Sequence, residues 1–373
     1  MNQIKQIFWN GILAFSLVSL FACQANKEIV SVEEQRKPET LEIAILMPLS
    51  KEQPALGSQY NQLIKMGLED GLKTNIHVTS YDISDEQQAI VAMDKVVARN
   101  TKIILGPLYS NLTSSIAKVA EENDIIVITM SNNPAIADRR IFVFGHAPFK
   151  QVARLINYFA DNDYKHFISL LPSGKHSQTV KQLVQDMMIR KNATLVRSEF
   201  YSNVPESIDQ AVLNASNIVD NLNEMEDILA KPVIYLSDDT KNLNLIFNNI
   251  HKYYLDKKAV IIGDNRIDIY YPKPINIIFT GSVNILNSNV VERAKDIGIN
   301  HFSFMHAMAY DLGKMTSKYI DTQFTVERFL GFLNGKSSYA GISGNIHFTD
   351  SIAQRGYDII KKEDGVYSVV DLD

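Results

Sequence analysis

Leu41-Glu42-Ile43-Ala44-Ile45-Leu46-Met47-Pro48-Leu49-Ser50 decides the architecture of this chain. Residues 41–46 form an apolar run, the composition of a strand buried on both faces. Pro48 has no N–H to donate and ends the ladder. Residues 58–72 follow, with Tyr60, Leu63, Ile64, Gly67, Leu68 and Leu72 on one helical face. A buried strand feeding directly into an amphipathic helix is the start of a β-α-β unit.

The same alternation continues outward. Residues 77–81 read as a strand, and Ser84-Asp85-Glu86-Gln87 as a capping-box start for a helix running to about residue 100. Residues 102–105 are a third strand, stopped by Gly106-Pro107; a helix over 111–123 and strands at 125–129 and 141–144 complete this half. The pattern then restarts. Val152, Leu155, Ile156 and Phe159 mark a helix face, followed by a strand at 167–171, a helix at 178–191 and a strand at 194–197. Residues 207–229 read as one long helix or two. Strands at 233–236, 260–263 and 275–279 follow, with a helix over 243–255 among them. Two such runs predict an α/β protein of two doubly wound parallel-sheet lobes. Their ligand crevice lies beyond the carboxyl ends of the strands.

Composition narrows the function classes. The net charge is −5, and no basic block is present, which argues against a nucleic-acid partner. One cysteine excludes an internal disulfide and cysteine-pair zinc motifs, and the eight histidines show no HExxH spacing. Packing of a chain that is 46% apolar must supply the stability.

The lone cysteine lies in Leu20-Phe21-Ala22-Cys23, after an apolar stretch from Ile12 and with Lys5 as the only earlier charge. This is an export signal. Counted from Ile7 to Ala22 the apolar stretch has 16 positions, with Asn10 and Gly11 inside, short of the roughly 20 a spanning helix needs. Residues 24–40 carry Lys27, Glu28, Glu33, Glu34, Arg36, Lys37 and Glu39 and little apolar content, the composition of a tether.

The segment 20–23 resembles the lipobox of bacterial lipoproteins, with Phe21 bulkier than usual there. The resemblance implies a signal peptide over 1–22 and lipid on Cys23. The protein would then hang in the periplasm from a membrane, with Gln24 favouring the outer one.

Four further stretches resemble the type I periplasmic-binding-protein superfamily, which includes leucine-binding receptors. They are Ile43 to Ser50 with Gly57, Ile104-Leu105-Gly106-Pro107-Leu108-Tyr109-Ser110, and Phe142 to Pro148. The fourth is Ala309-Tyr310-Asp311 with Gly341 to Phe348, Arg355 and Asp364-Gly365. Within the superfamily the chain is most similar to the lipoproteins called penicillin-binding protein activators. The resemblance implies three crossovers between lobes, near 145–148, 281–284 and 344–348. Lobe one would then be 41–146 plus 285–345, and lobe two 147–284 plus 346–373. It also implies a non-catalytic regulator of peptidoglycan synthesis that binds a synthase. The alternative is a solute receptor for an amino acid, serving an ABC permease.

Candidate ligand contacts follow from where strands end. Ser110 opens a helix, where free N–H groups and the helix dipole favour a carboxylate. Ser131 and Asn132 follow the 125–129 strand and point toward the same crevice. The plainer reading is that Ser110 caps its helix and the other two form a turn. In the second lobe, Asp238, Asp239 and Asp264 follow strands and are placed to meet an ammonium group, or belong to solvated loops. Relatives often carry Asp-x-x-Tyr-Gly here; this chain has Ser173-Gly174-Lys175-His176-Ser177, with the aromatic contact missing. Gly331 to Ser337 is one residue short of a phosphate loop and reads as a helix C-cap and turn. No Gly-x-Ser-x-Gly elbow occurs, and His146 and His176 stand alone. No cofactor, metal or catalytic activity is expected.

Overall fold

The apolar run at 41–46 is the strand β1 (Leu41–Met47), with Ile43 to Met47 all buried. Its side chains alternate: Ile43, Ile45 and Met47 enter one core, Ala44 and Leu46 another. The structure is a computed structural model describing residues 40–51, 53–71, 75–145, 148–225, 230–238, 240–263 and 276–373. The signal, Cys23, His146, Asp239 and Asp264 lie outside the described residues. Contacts divide the chain into Met1–Thr40 and Leu41–Asp373, and the second unit is the subject below.

Its first run is β1, α1 (Pro54–Gly71), β2 (Ile76–Asp82), α2 (Glu86–Ala98), β3 (Ile103–Leu105), α3 (Ser110–Glu122), β4 (Ile126–Thr129) and β5 (Ile141–Val143). The second run is α4 (Pro148–Asp161), β6 (His166–Pro172), α5 (Lys175–Arg190), β7 (Thr194–Tyr201), α6 (Pro205–Asn223), β8 (Val233–Leu236), α7 (Thr240–Lys252), α8 (Leu255–Lys258), β9 (Val260–Gly263) and β10 (Ile277–Gly281). The chain then returns through α9 (Val283–Leu286), α10 (Val290–Asp296), α11 (Phe304–Lys318) and α12 (Val326–Leu333). It closes with β11 (Tyr339–Gly341), β12 (Gly344–Thr349), β13 (Ile352–Arg355), β14 (Asp358–Glu363) and β15 (Val366–Asp371).

Two sheets result. The first has the order β11-β12-β13-β5-β4-β3-β1-β2, the second β15-β14-β10-β9-β8-β6-β7. Strands β1 to β5, and β6 to β10, pair in parallel, as two doubly wound lobes require. Each sheet is covered on both faces: Ile234 and Leu236 of β8 enter one second-lobe core, Val233 and Tyr235 the other.

The third crossover is corrected. Residues 344–355 do not leave the first lobe: β12 and β13 form a hairpin within the first sheet, and the chain passes over at 356–357. The hairpin turns at Asp350 and Ser351, with φ of 50° and 59°, the backbone a two-residue primed turn demands. Gly341 and Gly344 likewise pair across a hairpin rather than marking a passage. Its two-residue turn is held by Asp311 on α11, whose carboxylate accepts the N–H groups of Ile342 (3.0 Å) and Ser343 (2.7 Å) and the Ser343 hydroxyl (2.6 Å). Antiparallel strands thus edge both parallel sheets, and Asp364-Gly365 turns the last hairpin.

Two local differences have simple causes. The cap of α2 is Asp85, which accepts the Gln88 N–H at 2.9 Å, while Gln88 Oε1 reaches back to the Ser84 N–H. Ser84 is diverted because its hydroxyl serves Asp82 Oδ1 at 2.9 Å. Residues 331–333 are the last of α12, and the turn after them begins at the cap Asn334.

Candidate functional site at the strand ends

The carboxyl ends of β1, β3, β4 and β5 form the first lobe's rim. At β3, Gly106 has φ 98° and its N–H donates to Ile128 O at 2.9 Å. A Cβ there would stand 2.2 Å from Leu46 O, so only glycine fits. Pro107 O accepts the Met130 N–H (2.9 Å) and the Thr129 hydroxyl (2.8 Å). Thr113 of α3 completes the tie, its hydroxyl 2.9 Å from that of Thr129. The start of α3 is therefore fastened to the end of β4 by buried polar contacts.

Ser110 is the first residue of α3 and is half-buried; the N-cap is Tyr109, which makes no side-chain cap bond. Among the described residues the Ser110 hydroxyl makes no hydrogen bond, and only its carbonyl is used, by Ser114 Oγ at 3.0 Å. Ser131 is 4% exposed and committed internally. Its N–H donates to Thr129 Oγ1 (3.1 Å), its Oγ accepts the Asn133 N–H (3.1 Å), and its carbonyl accepts the Gly145 N–H (3.1 Å). Asn132 is exposed. The fold thus places Ser110, at the start of α3, and Ser131 and Asn132, after β4, beyond the carboxyl ends of the neighbouring strands β3 and β4.

At the end of β1, Asp82 Oδ1 accepts the Leu49 N–H (2.8 Å) and the Ser84 hydroxyl (2.9 Å), while Ser84 Oγ accepts the Lys51 N–H (3.1 Å). Burial works to raise the Asp82 pKa, but the donors Ser50, Leu49 and Ser84 more than offset it and hold the group below its ordinary value. This loop lock was not foreseen; Asp82 ends β2 with no distinguishing spacing.

The second lobe's rim is arranged differently. Asp238 follows β8, is 2% exposed, and accepts the Tyr201 hydroxyl at 2.7 Å. Its carboxylate is turned into the lobe. His176 is exposed in the first turn of α5, and Ser177 is buried. The ring of Phe149, near the start of α4, stacks on His176 with centroids 6.3 Å apart and planes at 27°. This aromatic pair occupies the region where the sequence lacks the tyrosine of relatives. Phe149 was missed because it precedes His176 by a whole strand and helix.

Among the described residues, no group of three or more His, Cys, Asp or Glu is placed to hold a metal ion. No helix among them is long and apolar enough to cross a membrane.

Comparison with known proteins agrees with this architecture. The family profile described as periplasmic binding protein matches residues 40–217. The uncharacterized protein RP748 of Rickettsia prowazekii (strain Madrid E) is 56% identical over 373 residues, which is 100% of both chains. An ABC transporter substrate-binding protein from Sphaerobacter thermophilus superposes with a TM-score of 0.69 at 13% identity, covering 90% of this chain and 97% of that one. The C-domain of LpoA from Haemophilus influenzae, a regulator of PBP1A, superposes with a TM-score of 0.61 at 15% identity, covering 88% of this chain and 99% of that domain.

Proposed function

We propose that this chain, which has the type I periplasmic-binding fold and matches the periplasmic-binding-protein profile over residues 40–217, is a lipid-anchored envelope protein regulating peptidoglycan synthesis by binding a penicillin-binding protein. One observation carries the reading. Asp238, the second-lobe acid best placed by sequence to take an ammonium group, is buried and bonded to Tyr201. A buried carboxylate already serving an internal donor is a poor ligand contact, because freeing it costs that bond. Ser131 is similarly committed at the other rim. A crevice whose polar groups hold the lobes' own loops together favours a scaffold that presents its surface to a protein. No catalytic role is assigned to any residue. Crosslinking in the native membrane, followed by identification of partners, tests this. A penicillin-binding protein among the products is expected; its absence from repeated captures speaks against the proposal.

One feature favours a second reading, a solute receptor for an amino acid. Among the described residues the Ser110 hydroxyl is unbonded, on the first turn of α3 beside backbone N–H groups suited to a carboxylate. Under this reading, Ser110→Ala with Ser131→Ala abolishes uptake of the solute; unchanged uptake excludes it.

A further inference from the structure

Arg355 ends β13 and is 6% exposed. Its guanidinium lies over the Phe144 ring, with Cζ 4.2 Å from the centroid. Nη1 donates to Gly145 O at 3.3 Å. Nε and Nη2 have no hydrogen-bond partner among the described residues. These two nitrogens form the side-on edge of the guanidinium, whose parallel N–H groups match the two oxygens of a carboxylate. One face and one end of the group are thus fixed, and the edge suited to an anion is left over.

The nearby acids are engaged elsewhere. Asp311 holds the Ile342-Ser343 turn through three hydrogen bonds. Asp358 takes the N–H groups of Val283 (2.9 Å) and Asp373 (3.3 Å), and Asp371 takes Arg154 at 2.6 Å. Burial lowers the Arg355 pKa to about 10, with Tyr357 and Asp311 opposing it, so the group stays a cation at neutral pH. A buried cation with an open edge is costly unless something pairs with it.

Other unused donors occur at the same junction. Gln151 Nε2, Thr280 Oγ1 and Ser282 Oγ are buried without partners. Arg154 Nε donates to Tyr357 O at 3.2 Å and Lys150 bonds Gln354, which sets the first turns of α4, with Gln151 between them, along residues 354–357. Gly281 pairs with Asp358, which brings Thr280 and Ser282 to the same passage. The passages at 281–283 and 355–358, and the start of the first passage at 144–145, therefore meet around groups able to donate.

We propose that the Nε–Nη2 edge of Arg355, where these passages meet, binds a small monocarboxylate. One cation with the Asp311 carboxylate acting on it is matched by a single negative charge and disfavours a dianion. A carboxylate seated there links chain segments from both lobes. This inference goes beyond the proposed function and stands whichever protein partner is found.

Thermal unfolding of the full chain tests it, with acetate and L-leucine as probes and chloride and inorganic phosphate as controls at matched ionic strength. A saturable rise in Tm with acetate or L-leucine is expected for the wild type. Arg355→Met should abolish it, and Arg355→Lys, which keeps the charge without the fork, should need at least tenfold more probe. Equal shifts in wild type and Arg355→Met, or equal shifts with chloride or phosphate, overturn the proposal. Should Arg355→Met fail to fold, Nε–H NMR of the arginine-labelled wild type decides. A shift of the Arg355 signal on adding acetate supports the site, and no shift refutes it.

Discussion

Tyr201 and Asp238 close the second lobe's rim on itself: the phenol donates to Oδ2 at 2.7 Å, with both side chains buried at the ends of β7 and β8, on either side of β6. A hydrogen bond to a buried charged acceptor contributes about 1.5–3 kcal/mol. Tyr201→Phe should therefore lower the urea-unfolding free energy by about 2 kcal/mol. If Asp238 instead served a ligand, the substitution would alter ligand affinity and leave the apo-protein's stability nearly unchanged.

Gly313 on α11 lies against α1, where an added Cβ would stand 2.0 Å from Ile64 O; the reciprocal Gly67 would meet Tyr310 O at 2.1 Å. In an exposed helix, alanine is better than glycine by about 1 kcal/mol. Here the sign should reverse. Gly313→Ala is expected to destabilise by about 2 kcal/mol or more, because the helices must part. Chemical denaturation of this single variant measures it; a stabilised protein would show that the two helices are not in contact.

His306 Nδ1 accepts the Ser303 N–H (3.0 Å) within a capping box, and Nε2 faces Gln59 Oε1 at 3.0 Å. Burial lowers its pKa from 6.5 to about 4. The unfolded chain therefore binds the proton first as pH falls. Stability from this group is complete above about pH 6.5, is lost progressively below it, and levels off near pH 4. The loss is on the order of 3 kcal/mol for a shift of this size. A pH series of Tm for wild type and His306→Gln should show the slope between pH 4 and 6.5 reduced in the variant.

Cys23 is the expected lipid attachment point. Cys23→Ser should move the protein from the membrane pellet to the soluble fraction and abolish incorporation of labelled fatty acid. Retention in the pellet after that change would point to a different anchor.

Much of the fold was legible because parallel strands buried on both faces leave a plain record. Residues 41–47, 103–105, 126–129 and 233–236 are short apolar runs between helical patterns, and each is a strand. The C-terminal strands were less legible. Strand β12 reads Gly344-Asn-Ile-His-Phe-Thr349, half-buried and alternating, and its Asp350-Ser351 turn lacks the glycine that usually signals a hairpin. Candidate positions such as Ser110, Ser131 and Asp238 were found because strand ends are where such lobes place contacts. Which of them would be spent on internal bonds was not legible, since the partners Tyr201 and Gly145 lie 37 and 14 residues away.

By itself the sequence determined the class: two runs of strand and helix, no basic block and no paired cysteines. These depend on local periodicity and composition, which neighbours in the chain carry. Only tertiary structure decided that α11 would pack against α1 across some 250 residues, and that Asp311 would hold the turn at Ile342 and Ser343. It alone brought Gly145, Gly281 and Arg355 into the passages between lobes. The physical reason is that hydrogen bonds and burial act through space. The polar partners a side chain finds depend on which distant segments the sheets bring to it.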